Sequence, residues 1–110
     1  MNKVFKNVCI TGAGNGIGQA IAIAMSKEGY NVICADIDFE EAEKTVEIIS
    51  SNNGSGLAIK TDVTNVEDIK DMINKAAKQF GSLDIMVNNA GVTRTSSIMD
   101  LNEKDWDWIH

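Results

Sequence analysis

The stretch TGAGNGIG, from Thr11 to Gly18, predicts the fold more strongly than any other part of the chain. It follows a short apolar run that is typical of a buried strand. It leads into apolar residues spaced i, i+3, i+4, i+7 and i+8, which predict one face of a helix. A glycine-rich loop between a strand and a helix directs free backbone N–H groups and the positive end of the helix dipole to one point. The stretch therefore predicts a phosphate-binding turn.

Glycines can also serve turn geometry alone, so a second signal is needed. Four of the nine glycines lie between Gly12 and Gly18, although each costs backbone entropy on folding. An apolar run over 31–35 predicts a second strand, which ends at Asp36, eighteen residues after Gly18. An acid at that place can accept both hydroxyls of an adenosine ribose and would repel a 2′-phosphate. Loop and acid together predict nucleotide binding.

Composition excludes several other functions. The 110 residues suffice for one domain, 1–110, and carry a net charge of −6 without a basic stripe, which argues against nucleic acid as a partner. The longest apolar run, 20–25, is too short to span a membrane, and no apolar segment of signal-peptide type follows Lys3 and Lys6, so we expect a cytoplasmic protein. Cys9 and Cys34 are predicted to be buried hydrophobic residues. No spacing of ligands predicts a metal site.

Strand and helix patterns alternate along the chain. Strands are predicted over 4–10, 31–36, 57–61 and 83–87, and helices over 16–28, from Asp38 and from Thr64. Asp38 with Glu41, and Thr64 with Glu67, are candidate helix caps. The apolar spacing of these two helices predicts that Phe39 and Val66 are among their buried residues. Short apolar strands separated by helices predict an α/β fold of Rossmann type. This is a doubly wound parallel sheet, partial here, with strand order 3-2-1-4.

A further helix is expected near the end of the chain. Asn102 is its candidate cap, and Trp106, Trp108 and Ile109 are its apolar residues. Strand four would then form an unprotected edge of the sheet. We therefore expect a homo-oligomer, or association with a separate C-terminal half.

The motifs resemble those of the short-chain dehydrogenases/reductases. T-G-x-x-x-G-x-G from Thr11, Asp62-Val63 after strand three and Asn88-Asn89-Ala90-Gly91 after strand four match that family in order and spacing over the whole chain. An S-adenosylmethionine methyltransferase could share the glycine loop and the acid, but N-N-A-G argues against it.

The resemblance implies a role for individual residues. Asp36 would hold the adenosine ribose, whereas Asp62 would bond the adenine amino group or, alternatively, only cap the loop before Thr64. Thr11 and Asn88 would tie strand four to strand one. The other implied cofactor residues are Gly12, Asn15, Gly16, Ile17 and Gly18 around the pyrophosphate, Val63 beside the adenine, and Asn89, Ala90 and Gly91 beneath the nicotinamide-side ribose.

The resemblance and the charges together indicate the cofactor. Members of the family that prefer NADP usually carry a basic residue in the glycine loop or directly after strand two, where this chain has Asn15 and Ile37. With Asp36 present and no cation nearby in the sequence, we expect NAD(H).

The resemblance does not extend to catalysis. The family uses a serine and a Tyr-x-x-x-Lys pair, and the chain ends at His110 before any of them; its single tyrosine, Tyr30, has Cys34 four residues on. We therefore expect no catalytic residue here and no activity from this chain alone. Two classes of function remain open. One is the nucleotide-binding half of an oxidoreductase acting on a small alcohol or ketone, and the other is a standalone nucleotide-binding module that acts as a sensor or pairs with another chain.

Overall fold

The computed structural model describes residues 7–89 and the backbone of residues 107–109. Helices and strands alternate through residues 7–89, as the hydrophobic patterns predict. The strands are β1 (Asn7–Thr11), β2 (Asn31–Asp36), β3 (Gly56–Lys60), β4 (Ile85–Val87) and β5 (Asp107–Ile109), and the helices are α1 (Gly16–Lys27), α2 (Phe39–Ser51) and α3 (Val66–Phe80).

The strands form one parallel sheet in the order β3-β2-β1-β4-β5. The predicted order 3-2-1-4 is confirmed. Neighbouring residues of β1 face opposite sides of the sheet: Ile10 packs with Ala22 of α1 and Ile49 of α2, whereas Cys9 packs with Met72 of α3. Helices therefore cover both faces, as in a doubly wound fold, and the carboxyl ends of β1, β2 and β4 meet at one edge.

The helix caps agree with the sequence in one case and differ in the other. Asp38 caps α2, where its carboxylate accepts a hydrogen bond from the backbone N–H of Glu41. The prediction that Thr64 caps α3 is wrong: the cap is Asn65, whose side chain accepts from the N–H of Asp68. Thr64 belongs to the turn before the helix, where its backbone N–H and its hydroxyl both donate to Asp62.

The expectation of a helix at the end of the chain is also wrong for residues 107–109. These residues form β5, which lies parallel to β4 with Ile85 opposite Asp107 and Val87 opposite Ile109. A helix of two turns has few internal hydrogen bonds, whereas β4 offers a complete row of backbone donors and acceptors, and tryptophan and isoleucine favour strands. β4 is consequently an interior strand and not the expected edge. Asn102 and Trp106 lie outside the described residues.

Two residues predicted to be buried are exposed. Phe39 and Val66, each the first residue of its helix, lie at the surface. The buried positions include Thr45 on α2 and Met72 on α3 instead. None of the helices among residues 7–89 has the length and the apolar character that a membrane span requires.

Candidate functional site

The glycine loop closes tightly against the end of β4. A Cβ placed on Gly18 would lie 2.7 Å from the side-chain nitrogen of Asn89 and would collide with the carbonyl of Gly12. The same Asn89 side chain donates to the carbonyl oxygen of Gly12 at 3.4 Å. Only glycine at position 18 allows α1 to begin this close to the sheet, so the start of the helix is directed at the edge where the strands end.

The start of α1 differs from the start of the other two helices. Its cap residue, Asn15, is extended and its side chain makes no capping bond, and no acid lies in the first turn. Asp38 and Asn65, in contrast, cap α2 and α3, and both of those helices carry acids in their first turn. Gly16 and Ile17 are exposed. The N–H groups and the dipole at this terminus therefore favour an anionic ligand.

Asp36 lies at the end of β2 with both carboxylate oxygens fixed by backbone amides. Oδ2 accepts from the N–H of Gly14 at 2.8 Å, and Oδ1 accepts from the N–H of Asp38 at 2.9 Å. A carboxylate offers about four acceptor sites, so each oxygen retains capacity for a ligand hydroxyl. The neighbouring Ile37 side chain is 62% exposed and carries no charge.

One peptide group of the loop is held from both ends. The N–H of Gly14 bonds Asp36, and the carbonyl of Ala13, which belongs to the same peptide, accepts from the Thr45 hydroxyl at 2.8 Å. Thr45 Oγ1 in turn accepts from Nε2 of Gln19 at 3.1 Å, and Nε2 lies 3.4 Å from the carbonyl oxygen of Gly14. Thr45 is fully buried.

Three of these residues were missed by the sequence analysis. Gly14 occupies a position that the family motif leaves unspecified, yet a Cβ there would lie 2.6 Å from Cβ of Glu41 and 2.7 Å from Oδ2 of Asp36. Thr45 carried a usable signal, because a polar residue three positions after the buried Ala42 falls on the apolar face of α2. Gln19 gave no signal in the sequence.

Asp62 follows β3 and forms a local turn. Its Oδ1 accepts from the N–H of Thr64 at 2.9 Å and from the Thr64 hydroxyl at 2.6 Å, and these two bonds hold the pKa of Asp62 below its ordinary value. The carboxylate therefore caps the loop before Thr64 through Oδ1. The N–H of Thr61 bonds the carbonyl of Asp36, which brings the end of β3 beside the end of β2.

Thr11 joins β1 to the segment after β4, as expected. Its hydroxyl lies 3.2 Å from Oδ1 of Asn88 and accepts from the N–H of Asn89 at 2.9 Å. Asn89 thereby contacts both Thr11 and the glycine loop. The predicted site residues Ala90 and Gly91 lie outside the described residues. Val63 is half-buried beside Asp62.

The described residues offer few alternatives to this site. Residues 7–89 contain no group of three or more His, Cys, Asp or Glu side chains that could hold a metal ion. A groove of about 660 Å³ runs along the outer edge of β3 and is lined partly by Phe39, Lys75 and Lys78. None of the predicted cofactor residues lines it, so the groove is separate from the edge where the glycine loop, Asp36 and Asn89 meet.

Two solved structures with a similar fold carry oxidoreductase names. A hydroxysteroid dehydrogenase from Escherichia coli is 37% identical with a TM-score of 0.76, over 78% of this chain and 37% of that one. A candidate D-mannonate oxidoreductase from Haemophilus influenza, solved with bound NAD, is 33% identical with a TM-score of 0.72, over 74% of this chain and 29% of that one.

Comparison of sequences agrees with the structural likeness. A 3-oxoacyl-[acyl-carrier-protein] reductase from Staphylococcus aureus is 42% identical over 96% of this chain and 43% of its own length, so the chain spans less than half of that relative. An oxidoreductase from Thermotoga maritima is 40% identical over 97% of this chain and 42% of its own length. The family model for short chain dehydrogenase matches residues 6–109. The chain belongs to the short-chain dehydrogenase family.

Proposed function

We propose that the chain is the nucleotide-binding part of an NAD(H)-dependent oxidoreductase that acts on a small alcohol or ketone. The observation that carries this proposal is the joint geometry of Asp36 and α1. A fixed carboxylate at the end of β2 stands beside a helix start that no side chain caps, and the Gly14 amide bonds the carboxylate directly. A pyrophosphate fits the start of α1, and the adjacent ribose fits the carboxylate of Asp36.

The charges near Asp36 favour NAD(H) over NADP(H). A 2′-phosphate would stand against the carboxylate and would need a free cation. Lys44, in the second turn of α2, is bound to Glu41 at 2.9 Å, and Glu40 and Asp38 lie near enough to raise its pKa further. Its charge is therefore already balanced by acids, and the position after Asp36 is the neutral Ile37. Lys60, opposite Asp36 in the register of β2 and β3, lines the groove along the outer edge of β3.

Different residues of the candidate site would hold different parts of the cofactor. The pyrophosphate would be held by the residues of the glycine loop, namely Gly12, Asn15, Gly16, Ile17 and Gly18. Asp36 would accept from the ribose hydroxyls, and Asp62 and Val63 would contact the adenine. The proposed contacts to the nicotinamide-side ribose are those of Asn89, Ala90 and Gly91. The bound cofactor would supply the hydride acceptor or donor at its nicotinamide ring. The chain's own residues bind and orient it, and the close packing at Gly18 keeps the helix start within reach of the phosphates.

The tyrosine–lysine pair that the family uses for the proton accompanying hydride transfer is not found among residues 7–89. Tyr30 directly precedes β2, at the amino end of the strand, whereas Asp36 marks the carboxyl end where the site lies. Tyr30 packs against the apolar cluster of α1 and α2. We therefore propose that this chain alone binds the cofactor without turning over a substrate.

We also propose that the chain associates with a second copy or with a C-terminal portion of the same fold. β4 is covered by β5, which has only three residues and forms one outer strand of the sheet. An outer strand presents unpaired backbone groups to another strand. The association would therefore extend the sheet beyond β5 and not beyond β4.

Calorimetry on the whole chain with NADH, NADPH and ADP-ribose tests the cofactor proposal. We expect NADH and ADP-ribose to bind, and NADPH to bind at least about tenfold more weakly, since one uncompensated charge contact is worth more than ~1.4 kcal/mol. An NADPH affinity equal to or above that of NADH would show that Asp36 does not distinguish a 2′-hydroxyl from a 2′-phosphate. Failure to bind any of the three would overturn the nucleotide-binding role itself.

Asp36→Asn is the matched variant. The amide keeps the shape of the side chain and one acceptor for the Gly14 N–H but loses the negative charge. We expect the NADH affinity to fall several-fold and the difference between NADH and NADPH to shrink, because the repulsion of the 2′-phosphate is removed. Circular dichroism and thermal unfolding of both proteins serve as the control for folding. An unchanged preference would mean that other groups set it.

A further inference from the structure

The Ala13–Gly14 peptide connects the buried Thr45 to Asp36. Its carbonyl oxygen accepts from the Thr45 hydroxyl at 2.8 Å, and its N–H donates to Oδ2 of Asp36 at 2.8 Å. A peptide group is rigid and planar, so an anchor at the oxygen fixes the direction of the N–H at the other end. The orientation of the Asp36 carboxylate, at the end of β2, consequently depends on Thr45 of α2.

The hydroxyl proton of Thr45 belongs to this bond. Oγ1 also lies 3.4 Å from the carbonyl of Glu41 in its own helix, but a hydroxyl has one proton and the contact with Ala13 is much shorter. Nε2 of Gln19 occupies the acceptor side of Oγ1 at 3.1 Å. The hydroxyl therefore has a single orientation, in which its proton is directed at the carbonyl oxygen of Ala13.

Steric contact reinforces the arrangement. Gly14 is buried, and the space where its Cβ would stand is filled by Oδ2 of Asp36 and by Cβ of Glu41. The loop backbone thus packs between the ribose acid and the first turn of α2. Movement of this peptide would displace the carboxylate, since no free space separates them.

We propose that Thr45 is a positioning residue for cofactor choice. By holding the carbonyl end of the Ala13–Gly14 peptide, it directs the Gly14 N–H at Asp36 and keeps the carboxylate where a 2′-hydroxyl is accepted and a 2′-phosphate is rejected. Gln19 supports it by fixing the hydroxyl. This inference rests on the proposed NAD(H) binding and adds to it a residue that contacts neither the cofactor nor the substrate.

Thr45→Val and Thr45→Ser in the whole chain test the inference, each titrated with NADH and with NADPH. Valine keeps the shape of threonine and removes the proton donor, whereas serine keeps the donor. We expect Thr45→Val to weaken NADH binding about fivefold or more, the size of one lost hydrogen bond, and to reduce the ratio of NADH to NADPH affinity. Thr45→Ser should restore both the affinity and the ratio to within about twofold.

The ratio separates positioning from loss of stability. A chain that is merely less stable would lose affinity for both ligands by the same factor, so an equal loss, or no loss, in Thr45→Val overturns the inference. Should Thr45→Val fail to fold, Gln19→Met removes the donor to the hydroxyl at a half-buried position and is read by the same ratio. If the unsubstituted chain does not prefer NADH, the cofactor proposal fails, and that outcome is distinct from an unchanged ratio in the variants.

Discussion

The side chain of Asn7 donates a hydrogen bond to the carbonyl oxygen of Ser82 at 3.0 Å and thereby joins the first residue of β1 to the loop between α3 and β4. The same amide nitrogen lies 3.2 Å from the carbonyl of Phe80, and the amide oxygen accepts from Asn31 at 2.8 Å. Asn7 is 5% exposed. A single buried amide thus connects three segments at the end of the sheet opposite the cofactor site.

Replacing this amide should destabilise the fold without touching cofactor contacts. Asn7→Ala leaves the partly buried carbonyl groups of Phe80 and Ser82 without this donor, which costs roughly 1–3 kcal/mol. Asn31→Ala, which removes one hydrogen bond from a half-buried side chain, should cost less than Asn7→Ala. Urea unfolding of the three proteins measures both effects. A larger loss for Asn31→Ala than for Asn7→Ala would contradict this ranking.

The two candidate caps of α3 predict different losses of stability. Asn65→Ala removes the acceptor for the N–H of Asp68 and should cost about 1 kcal/mol. Thr64→Ala removes only the exposed hydroxyl bond to Asp62, so the stability of α3 should change little, while the pKa of Asp62 should rise toward its ordinary value. Thermal unfolding and an NMR titration of Asp62 measure these outcomes. Equal destabilisation by both substitutions would restore Thr64 as a cap.

Gly14 should tolerate no side chain. In Gly14→Ala the new methyl group would lie 2.6 Å from Cβ of Glu41, and we expect a loss of stability of roughly 1–3 kcal/mol together with weaker NADH binding, because Asp36 must move. Gly56→Ala is the matched control, since a Cβ there would meet Val46 at an ordinary 3.4 Å. Unfolding and NADH titration should distinguish the two variants. Similar results for both would mean that the loop adjusts freely.

The buried thiols should make stability fall at high pH. Burial raises the pKa of Cys34 from 9.0 to about 12, so the thiol stays neutral in the folded chain while the unfolded chain ionises above pH 9. The contribution of the neutral thiol to the free energy of unfolding is complete below pH 9. It is lost by about 1.4 kcal/mol per pH unit as the pH rises toward the pKa of Cys34 in the folded chain. Denaturant unfolding between pH 8 and 10.5 should show a shallower decline in Cys34→Ala. An identical decline would exclude the thiol as its source.

The whole chain should not reduce a carbonyl compound. NADH oxidation in the presence of small ketones should stay at the background rate, because residues 7–89 do not contain the tyrosine–lysine pair that delivers the proton in this family. An NADH-dependent short-chain dehydrogenase, assayed with its own ketone substrate, is the positive control. Turnover by a sample that has been purified to the single mass of this chain would point to a proton donor not yet identified. NADH binding without turnover is also the expected result for a standalone module.

The sequence predicted the elements whose signals are local. β2 and the start of α2 match their expected bounds because an apolar run, Asp36 and the Asp38 cap lie next to one another along the chain. β5 could not be predicted in this way, since its structure depends on β4, some twenty residues earlier, and not on its own pattern. Thr64 and Asn65 are both good cap residues by type, and only the bonds of Asp62 to Thr64 separate them.

The site was predictable where a side chain or a glycine belongs to a motif and not where it acts through packing. Gly18 and Asp36 follow from spacing, because their roles depend on the order of strand, loop and helix. Thr45 depends on where α2 crosses the loop, which no spacing along the chain expresses. Gly14 depends on the same crossing, through Glu41.

Thr45 and Asp36 hold the Ala13–Gly14 peptide at both ends, and this has a consequence for the energetics of ligand association. Fixing the backbone of a residue costs about 1–2 kcal/mol in conformational entropy, and here that cost falls on folding instead of on the encounter with a ligand. A preorganised loop converts more of its contacts into affinity and requires little rearrangement when a nucleotide arrives. The nucleotide affinity that we propose for the loop therefore depends on how α2 packs against it.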